Sequence, residues 1–182
     1  GSNGGTLSVE SARQRPVDTL LSGPASGVVA TCSLGSQEER SELVAIDMGG
    51  TSCDMSITQN GQPVLTTTAK VGSFPLISPT VDVSAIGAGG GSIVWIDNQG
   101  ILKVGPTSAG ADPGPVSYGR GGTQPTISDC FLTSGIIDPD AFLGGRMKLD
   151  VEASVAALGR LSEQLAFSGP DASFRVADAA LQ

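Results

Sequence analysis

An acid and two glycines separate two strand-like segments near the start of the chain. Residues 43–46 form a continuous apolar run, and residues 53–58 alternate between apolar and polar side chains. Continuous apolar runs are typical of buried strands, and alternation is typical of a strand with two different faces. Asn60-Gly61 then forms a strong hairpin turn, and a third apolar segment covers residues 63–70. The pattern predicts an antiparallel meander with "DMGGTSCD" at its first turn.

The turn has the composition of an anion-binding loop. Gly49 and Gly50 let consecutive backbone N–H groups point at one anion, and Thr51 and Ser52 add hydroxyl donors. A Walker A loop requires a lysine that is absent here, and a dinucleotide-binding loop requires a following helix where this sequence predicts a strand. The alternative is a hairpin whose glycines only relieve the strain of a tight turn.

Two aspartates flank the turn in the sequence. Asp47 ends the first predicted strand, where it can hold Mg²⁺ beside a bound phosphate or orient an attacking water. Asp54, on the polar face of the second strand, can do either. The chain has no histidine, which excludes a Ser-His or Cys-His nucleophile pair within it and restricts any metal to a hard cation bound by oxygen. We therefore predict catalytic roles for both aspartates and a metal-ligating role for Asp47.

Composition excludes several other classes of protein. The net charge is −8 and aromatic residues make up only 4% of the chain, which disfavours nucleic-acid binding. No apolar stretch is long enough to span a bilayer and no signal peptide is visible, so we expect a cytoplasmic protein that binds no membrane. The three cysteines are widely spaced and match neither a disulfide framework nor a zinc site.

Four helices are predicted in the chain. The first begins near Pro24, with an apolar stripe formed by Val28, Val29, Cys32 and Leu34. A short helix is expected over residues 129–135, ended by a glycine. A longer helix follows Asp150, which is placed to cap it, and a last helix begins near Asp171.

A second glycine cluster leads into a second hairpin. The segment "IGAGGGSI" precedes strands expected near residues 92–97 and 101–105. Such a cluster indicates that the backbone closely approaches either a ligand or another strand, and both explanations remain open. The long stretch over residues 105–125 is rich in glycine and alanine and predicts an ordered loop.

The order of these segments resembles one family. The blocks "SNGG", "SGPASGVV", "DMGGTSCD", "IGAGGGSI", "VGPTSAGADPGPVSYGRGG" and "PTISD" occur here in the order typical of the hydantoinase A / 5-oxoprolinase / acetone carboxylase family. The resemblance covers residues 2 to about 150. It implies an α/β fold of the actin-like ATPase (ribonuclease H-like) type, with a mixed sheet, a leading antiparallel β-meander and flanking helices.

The resemblance also implies a set of binding residues. Those expected to face the ATP phosphates and Mg²⁺ are Asp47, Gly49, Gly50 and Thr51, with Asp54 completing the motif. Those expected near the nucleotide or substrate are Gly87, Gly89, Gly90, Gly91 and Ser92. Matches in the later blocks are Asp112, Tyr118, Arg120 and Asp129, of which Asp112 and Arg120 are candidate substrate contacts. For Arg120 a surface ion pair is the alternative. Gly23 and Pro24 match the "SGPA" block, where a helix start can supply N–H groups to an anion, and the alternative there is a simple helix start.

The chain departs from the family pattern at four positions. Many members carry His where Ser84 stands and Cys where Ser117 stands, and the block that contains Ser128 and Cys130 also differs. If those positions act in relatives, this protein lacks that role, so its substrate remains open. Cys32, Cys53 and Cys130 are each expected to be buried.

The resemblance implies that residues 1–182 are one fragment of an actin-like ATPase half-domain, without the N-terminal half and the C-terminal remainder. The expected activity is ATP-dependent hydrolysis of a small cyclic amide, in which the substrate carbonyl oxygen is phosphorylated. The alternatives are a subunit of an ATP-dependent ketone carboxylase and a non-catalytic nucleotide-binding module. The missing half is the expected partner, a second hydantoinase-type subunit is a further candidate partner, and the isolated fragment is expected to be inactive.

Overall fold

The computed structural model describes all 182 residues, which form two compact units. The first unit comprises Gly1–Asp47 and Asp54–Ala85, and the second comprises Met48–Cys53 and Ile86–Gln182. The helices are α1 (Val9–Gln14), α2 (Ser22–Gln37), α3 (Ile127–Thr133), α4 (Val151–Gln164) and α5 (Ala172–Leu181), with short 3₁₀ turns at Pro16–Thr19 and Val116–Tyr118. The mixed α/β class is confirmed.

Most strands are short and pair antiparallel. They are β1 (Leu43–Met48), β2 (Cys53–Gln59), β3 (Gln62–Pro63), β4 (Leu65–Thr66), β5 (Lys70–Val71), β6 (Phe74–Pro75), β7 (Thr80–Val81), β8 (Ser84–Ile86), β9 (Ser92–Ile96) and β10 (Leu102–Ser108). In one four-stranded sheet β2 pairs with β1, β3 and β8, and the pairing of β2 with β3 is antiparallel. Since only four residues join β1 to β2, these two strands also form an antiparallel hairpin.

The predicted third strand over residues 63–70 is wrong as a single element. It divides into β3, β4 and β5, of which β4 pairs with β7 and β5 pairs with β6. The Thr66 hydroxyl accepts a hydrogen bond from the Thr68 N–H at 3.1 Å. Such a local bond offers the backbone an alternative to the ladder, which explains the break between β4 and β5.

The predicted burial of the first strand is also wrong. β1 forms where expected, but Val44 and Ile46 each keep 66% of their surface exposed. β1 lies at the edge of its sheet, so it has one neighbouring strand within this chain. The apolar stripe predicted for α2 is likewise buried only in part, since Val28 is enclosed while Val29 and Leu34 are exposed.

The second unit has the larger apolar core. β9 and β10 pair antiparallel, with Val94 opposite Val104, which confirms the predicted second hairpin. The buried residues that pack together on the hairpin and the last three helices are Val94, Ile127, Cys130, Leu158, Val176 and Ala177.

The helices of the second unit form close to their predicted positions. Asp150 caps α4 by accepting a hydrogen bond from the Ala153 N–H at 2.9 Å, as predicted. α3 begins at Ile127 rather than at Asp129, because Thr126 and Asp129 form a capping box at its start. None of the helices in this structure combines the length and hydropathy that a membrane-spanning segment requires.

Candidate functional site

The glycine turn between β1 and β2 leaves several backbone donors without a partner. The Gly49 N–H donates to the Ser52 carbonyl oxygen at 2.9 Å and closes the turn. The N–H groups of Gly50, Thr51 and Ser52 donate to no other atom of the chain. Unpaired consecutive N–H groups of this kind can bind an anion, so the turn retains the donors that the sequence predicted.

The second glycine cluster packs directly on this turn. The Gly90 N–H donates to the Gly49 carbonyl oxygen at 2.9 Å, and the Gly91 N–H donates to the Gly50 carbonyl oxygen at 2.6 Å. A Cβ atom on Gly89 would lie 2.5 Å from the Thr51 nitrogen, so only glycine permits this approach. The sequence predicted that this cluster closely approaches either a ligand or another strand. In the structure its backbone closely approaches the turn between β1 and β2, so the two glycine clusters lie together.

A cavity of about 650 Å³ in the second unit opens beside the joined glycine segments. Its lining combines backbone and hydroxyl groups with apolar side chains. The glycines and the hydroxyl-bearing Thr and Ser of the lining are Gly49, Gly50, Thr51, Gly90, Gly91, Gly110 and Ser128. The remaining lining residues are Met48, Ala111, Pro115, Tyr118, Phe131, Ile136, Ile137 and Phe142. No residue of this lining carries a formal charge.

Three candidates of the second glycine cluster do not line the cavity. Gly87, Gly89 and Ser92 lie outside its lining, and Ser92 is fully buried. The Ser92 hydroxyl accepts a hydrogen bond from the Gly89 N–H at 2.9 Å and lies 3.3 Å from the Thr51 carbonyl oxygen. Ser92 thus holds the loop against the turn, whereas Gly90 and Gly91 reach the cavity.

The two candidate aspartates lie in the first unit, in a depression of about 190 Å³. Pro24, Gly27 and Ser56 also line this depression, so the start of α2 and the polar face of β2 meet there. Neither Asp47 nor Asp54 takes part in any of the three salt bridges of the structure. Both carboxylates are therefore free to act on a ligand.

The donor set at these aspartates fits Mg²⁺. The structure contains no cluster of three or more His, Cys, Asp or Glu side chains suited to a metal. Mg²⁺ is usually bound by one or two carboxylates together with waters and substrate phosphates, so a complete protein cage is not required. Asp47 and Asp54 offer that number of carboxylates, and Asp47 is two positions before Gly49 in the sequence.

The candidate substrate contacts lie near the cavity without lining it. The Arg120 guanidinium donates to the Ala111 carbonyl oxygen at 3.4 Å and lies 5.9 Å from the centre of the Tyr118 ring. It forms no salt bridge, so the ion pair that was the alternative for Arg120 is absent from this chain. Asp112 is exposed and follows Ala111, which is part of the lining.

Tyr118 is the titratable residue of the lining. Burial is the main cause that raises the pKa of its hydroxyl, and the charge of Asp129 acts in the same direction. Arg120 acts weakly in the opposite direction. The phenol therefore stays protonated at neutral pH and remains a hydrogen-bond donor at the cavity wall.

Asp129 is a buried structural residue rather than a ligand contact. Its carboxylate is fully enclosed and accepts hydrogen bonds from the N–H groups of Val116, Ser117 and Thr126 at 2.8 to 3.2 Å. The hydroxyls of Thr126 and Ser154 donate to it as well, at 2.9 and 2.8 Å. Asp129 therefore fixes the loop over residues 105–125 to the helices beneath the cavity.

The four departures from the family pattern occupy different environments. Ser84 is exposed in β8, and Ser117 is buried with a hydroxyl that has no partner. Burial, and secondarily the charge of Asp129, raises the pKa of the Cys130 thiol to about 12, so it is an inert core residue. Only Ser128 reaches the cavity, and the sequence marked it as a departure without indicating a role.

The chain belongs to the Hydantoinase/oxoprolinase family, which it matches over residues 1–182. Among curated relatives, it is 38% identical to the caprolactamase subunit alpha of Pseudomonas jessenii, over 92% of this chain and 24% of the relative. The family expected from the sequence is thus confirmed.

Two solved structures share the fold. The nucleotide-free structure of an acetone carboxylase, described as ATP-dependent, matches with a TM-score of 0.79 and 32% identity, over 94% of this chain and 24% of that one. The crystal structure of the ATP-dependent caprolactamase from Pseudomonas jessenii matches with a TM-score of 0.77 and 36% identity, over 89% of this chain and 23% of that one. This chain therefore spans about a quarter of the length of these relatives.

Proposed function

We propose that this chain is part of an ATP-dependent enzyme that hydrolyses a small cyclic amide. The observation that carries the proposal is the glycine turn, whose N–H groups at Gly50, Thr51 and Ser52 have no partner and which borders a large cavity. Membership of the Hydantoinase/oxoprolinase family supports the substrate class, and the ATP dependence stated for both structural relatives supports the use of ATP.

The proposed roles follow from the donors present. The backbone N–H groups of the turn and the Thr51 hydroxyl bind the ATP phosphates. Asp47 holds Mg²⁺, which would supply positive charge to the phosphates, and Asp54 completes the motif by orienting water. The proposal includes an actin-like ATPase fold and a half-domain over residues 1–182.

The proposed reaction activates the carbonyl group of the ring. The carbonyl oxygen attacks the γ-phosphorus, a new P–O bond forms on the substrate, and the bond to the departing ADP breaks. The carbonyl carbon then becomes a better target for water, whose attack opens the ring and finally releases phosphate. The chain contributes orientation and charge stabilisation to these steps, because it contains no histidine for a nucleophile pair.

A ketone carboxylase subunit is the second candidate function, and the structural likeness to acetone carboxylase favours it. Both reactions begin with ATP and a carbonyl group, but only the carboxylase requires bicarbonate. A non-catalytic nucleotide-binding module is the third candidate, and it would bind ATP without turnover.

We further propose that the active enzyme contains more than this chain. The chain spans about a quarter of its relatives, and one relative is named as subunit alpha. The preceding half of the same protein and a second subunit are the proposed partners. The 182-residue chain alone is expected to release no phosphate from ATP with any cyclic amide.

Phosphate release by the full-length protein, with its partner subunit where one exists, tests the proposal. We expect release to depend on Mg²⁺ and to rise when hydantoin, 5-oxoproline or caprolactam is added. Asp47→Ala should reduce it by about a hundredfold or more, since it removes a charge at the phosphates. Asp171→Ala, which changes an exposed aspartate without a side-chain cap hydrogen bond, is the control.

The assay also separates the candidate functions. A bicarbonate requirement with a ketone would assign the carboxylase, and ATP binding without turnover would assign the non-catalytic module. Absence of Mg²⁺-dependent ATP hydrolysis under all conditions would contradict the proposal.

A further inference from the structure

Much of the apolar lining of the cavity comes from one short stretch of chain, residues 131–142. Phe131 comes from α3, and Ile136 and Ile137 follow the end of that helix. The N–H groups of both isoleucines donate to the Phe131 carbonyl oxygen, at 2.9 and 3.3 Å, which fixes this wall. Phe142 completes it and lies 5.7 Å from Tyr118 between ring centroids.

A hydroxyl without a partner in the chain also lines the cavity. Ser128 is only 8% exposed and lines the cavity, yet its hydroxyl forms no hydrogen bond within the chain. A Cβ atom on Gly90 would lie 2.9 Å from the Ser128 Oγ, so the hydroxyl rests against the glycine cluster. The backbone of Ser128 is fixed as well, because its N–H donates to the Gly90 carbonyl oxygen at 2.8 Å.

An unpartnered hydroxyl at such a position can bind a ligand atom. Ser128 lines the cavity, and its hydroxyl has both a donor and an acceptor available there. The Ser128 hydroxyl can donate to an oxygen that sits between it and the glycine turn. A ligand that suits this cavity therefore has an oxygen at one end and an apolar body at the other.

The chemistry of the wall suits a saturated ring of the proposed reaction. Phe131, Ile136, Ile137 and Phe142 offer apolar surface and no side-chain donor or acceptor. A saturated lactam carries methylene groups and a single amide. Its methylenes match the wall, and its carbonyl oxygen matches the Ser128 hydroxyl.

We propose that this cavity is the subsite for the cyclic amide, with Ser128 donating to the substrate carbonyl oxygen and Phe142 limiting the size of the ring. The inference rests on the proposed function. It adds where the substrate binds and which residues of the chain determine the choice of substrate. Because the lining carries no charge, the subsite selects uncharged lactams over 5-oxoproline, whose carboxylate would lack a cation there.

Kinetics of the full-length enzyme with a series of lactams test this assignment. The series is 2-pyrrolidinone, 2-piperidinone and ε-caprolactam, with 5-oxoproline as the charged member. Ser128→Ala should raise KM for the lactams about tenfold, as expected for the loss of one hydrogen bond, and leave the Kd of MgATP unchanged. Ser134→Ala, which removes another unpartnered hydroxyl outside the cavity lining, should leave both constants unchanged.

A second variant tests the wall independently of the hydroxyl. Phe142→Ala should shift the ratio of kcat/KM between ε-caprolactam and 2-piperidinone about tenfold towards the larger ring, because these rings differ by one methylene group and one methylene group in an apolar pocket changes discrimination by about that factor. The wild-type enzyme should use 5-oxoproline less efficiently than 2-pyrrolidinone.

The outcomes separate this inference from the proposed function. If MgATP binds and lactams are hydrolysed, but both variants leave the lactam KM and the ring-size ratio unchanged, the subsite assignment is wrong and the proposed function stands. If Ser128→Ala weakens MgATP instead of the lactam, the cavity belongs to the nucleotide and the inference is overturned. A preference for 5-oxoproline would overturn it too. Absence of both ATP binding and lactam hydrolysis would remove the proposed function itself.

Discussion

The two units of this chain differ in how they use their apolar residues. The second unit encloses a core in which Val94 and Leu158 are at most 1% exposed. The first unit has a small buried cluster, formed by Ala25, Val28 and Val81. Its strand β1 carries a continuous apolar run, yet Val44 and Ile46 remain largely exposed. The second unit is therefore stabilised by its own side chains to a greater extent than the first.

This difference bears on where a binding site can be rigid. The glycine turn, the glycine loop and Ser128 all belong to the second unit, where Asp129 ties the surrounding loops to the helices. Preorganised donors bind an anion more strongly than mobile ones, because no ordering is needed when the ligand arrives. We infer that the enclosed core is what holds the unpaired N–H groups in place.

The largest expected effect concerns the buried carboxylate of the second unit. Asp129→Asn replaces one acceptor oxygen with an amide group that faces N–H and hydroxyl donors, so several hydrogen bonds are lost together. We expect the free energy of unfolding to fall by about 3–5 kcal/mol. Urea denaturation of the chain measures this effect.

The matched control is an exposed carboxylate on the same unit. Asp140→Asn removes only a solvent-exposed salt bridge to Lys148, so it should change the free energy of unfolding by less than about 0.5 kcal/mol. Equal effects of the two substitutions would show that the hydrogen bonds of Asp129 contribute no more to the free energy of unfolding than an exposed salt bridge does.

The cysteines extend the comparison to the pH dependence of the free energy of unfolding. The pKa of the Cys130 thiol is raised from 9.0 to about 12, mainly by burial, so the folded chain keeps this proton where the unfolded chain loses it. Stability from this group is complete below pH 9 and falls by about 1.4 kcal/mol for each pH unit between 9 and 12. Urea denaturation between pH 8 and about pH 11 checks the slope.

Two substitutions isolate the contribution of Cys130 from that of other groups that titrate at alkaline pH. Cys130→Ala should reduce the pH dependence by the stated amount. Cys32→Ala should reduce it less, because Cys32 is partly exposed, although burial raises the pKa of its thiol as well. A pH dependence that Cys130→Ala leaves intact would argue against an enclosed core at this position.

The smallest effect compares two valines that both lie in strands. Val94→Ala in β9 creates a space in the enclosed core and should lower the free energy of unfolding by about 2–3 kcal/mol. Val44→Ala in β1 removes an exposed side chain and should lower it by less than about 1 kcal/mol. Equal losses in urea denaturation would mean that β1 is covered in the folded chain, and the contrast between the units would then disappear.

The sequence predicted those elements that depend on local signals. The β1–β2 hairpin follows from its glycine turn, and the β9–β10 hairpin from its flanking apolar strands. α4 follows from its helical spacing and the Asp150 cap. Each of these signals lies within a few residues of the element that it specifies.

The features that escaped prediction depend on distant contacts. The exposure of β1 depends on which surfaces pack on the strand. An apolar run does not indicate whether such a surface is present. The role of Asp129 depends on donors up to 25 residues away. Ser128 reaches the cavity only because the glycine loop packs on the turn, and its position directly before Asp129 in "PTISD" was the available signal.

Calorimetric titration of MgATP into the full-length protein tests the central claim, that the glycine turn binds the phosphates. Gly50 lines the cavity, and a Cβ atom there would meet no other atom within 4 Å, so Gly50→Ala adds a methyl group without disturbing the fold. Gly159→Ala in α4 lies outside the cavity, and a Cβ atom there would have only an ordinary contact, 3.5 Å from the Ser173 hydroxyl oxygen, so it serves as the control.

The methyl group on residue 50 would stand where a phosphate approaches the turn. The account predicts that Gly50→Ala weakens MgATP binding at least about tenfold, as expected when one charge-assisted hydrogen bond is lost, while Gly159→Ala binds like the wild type. Wild-type affinity in Gly50→Ala would contradict the claim and leave the turn as a structural hairpin.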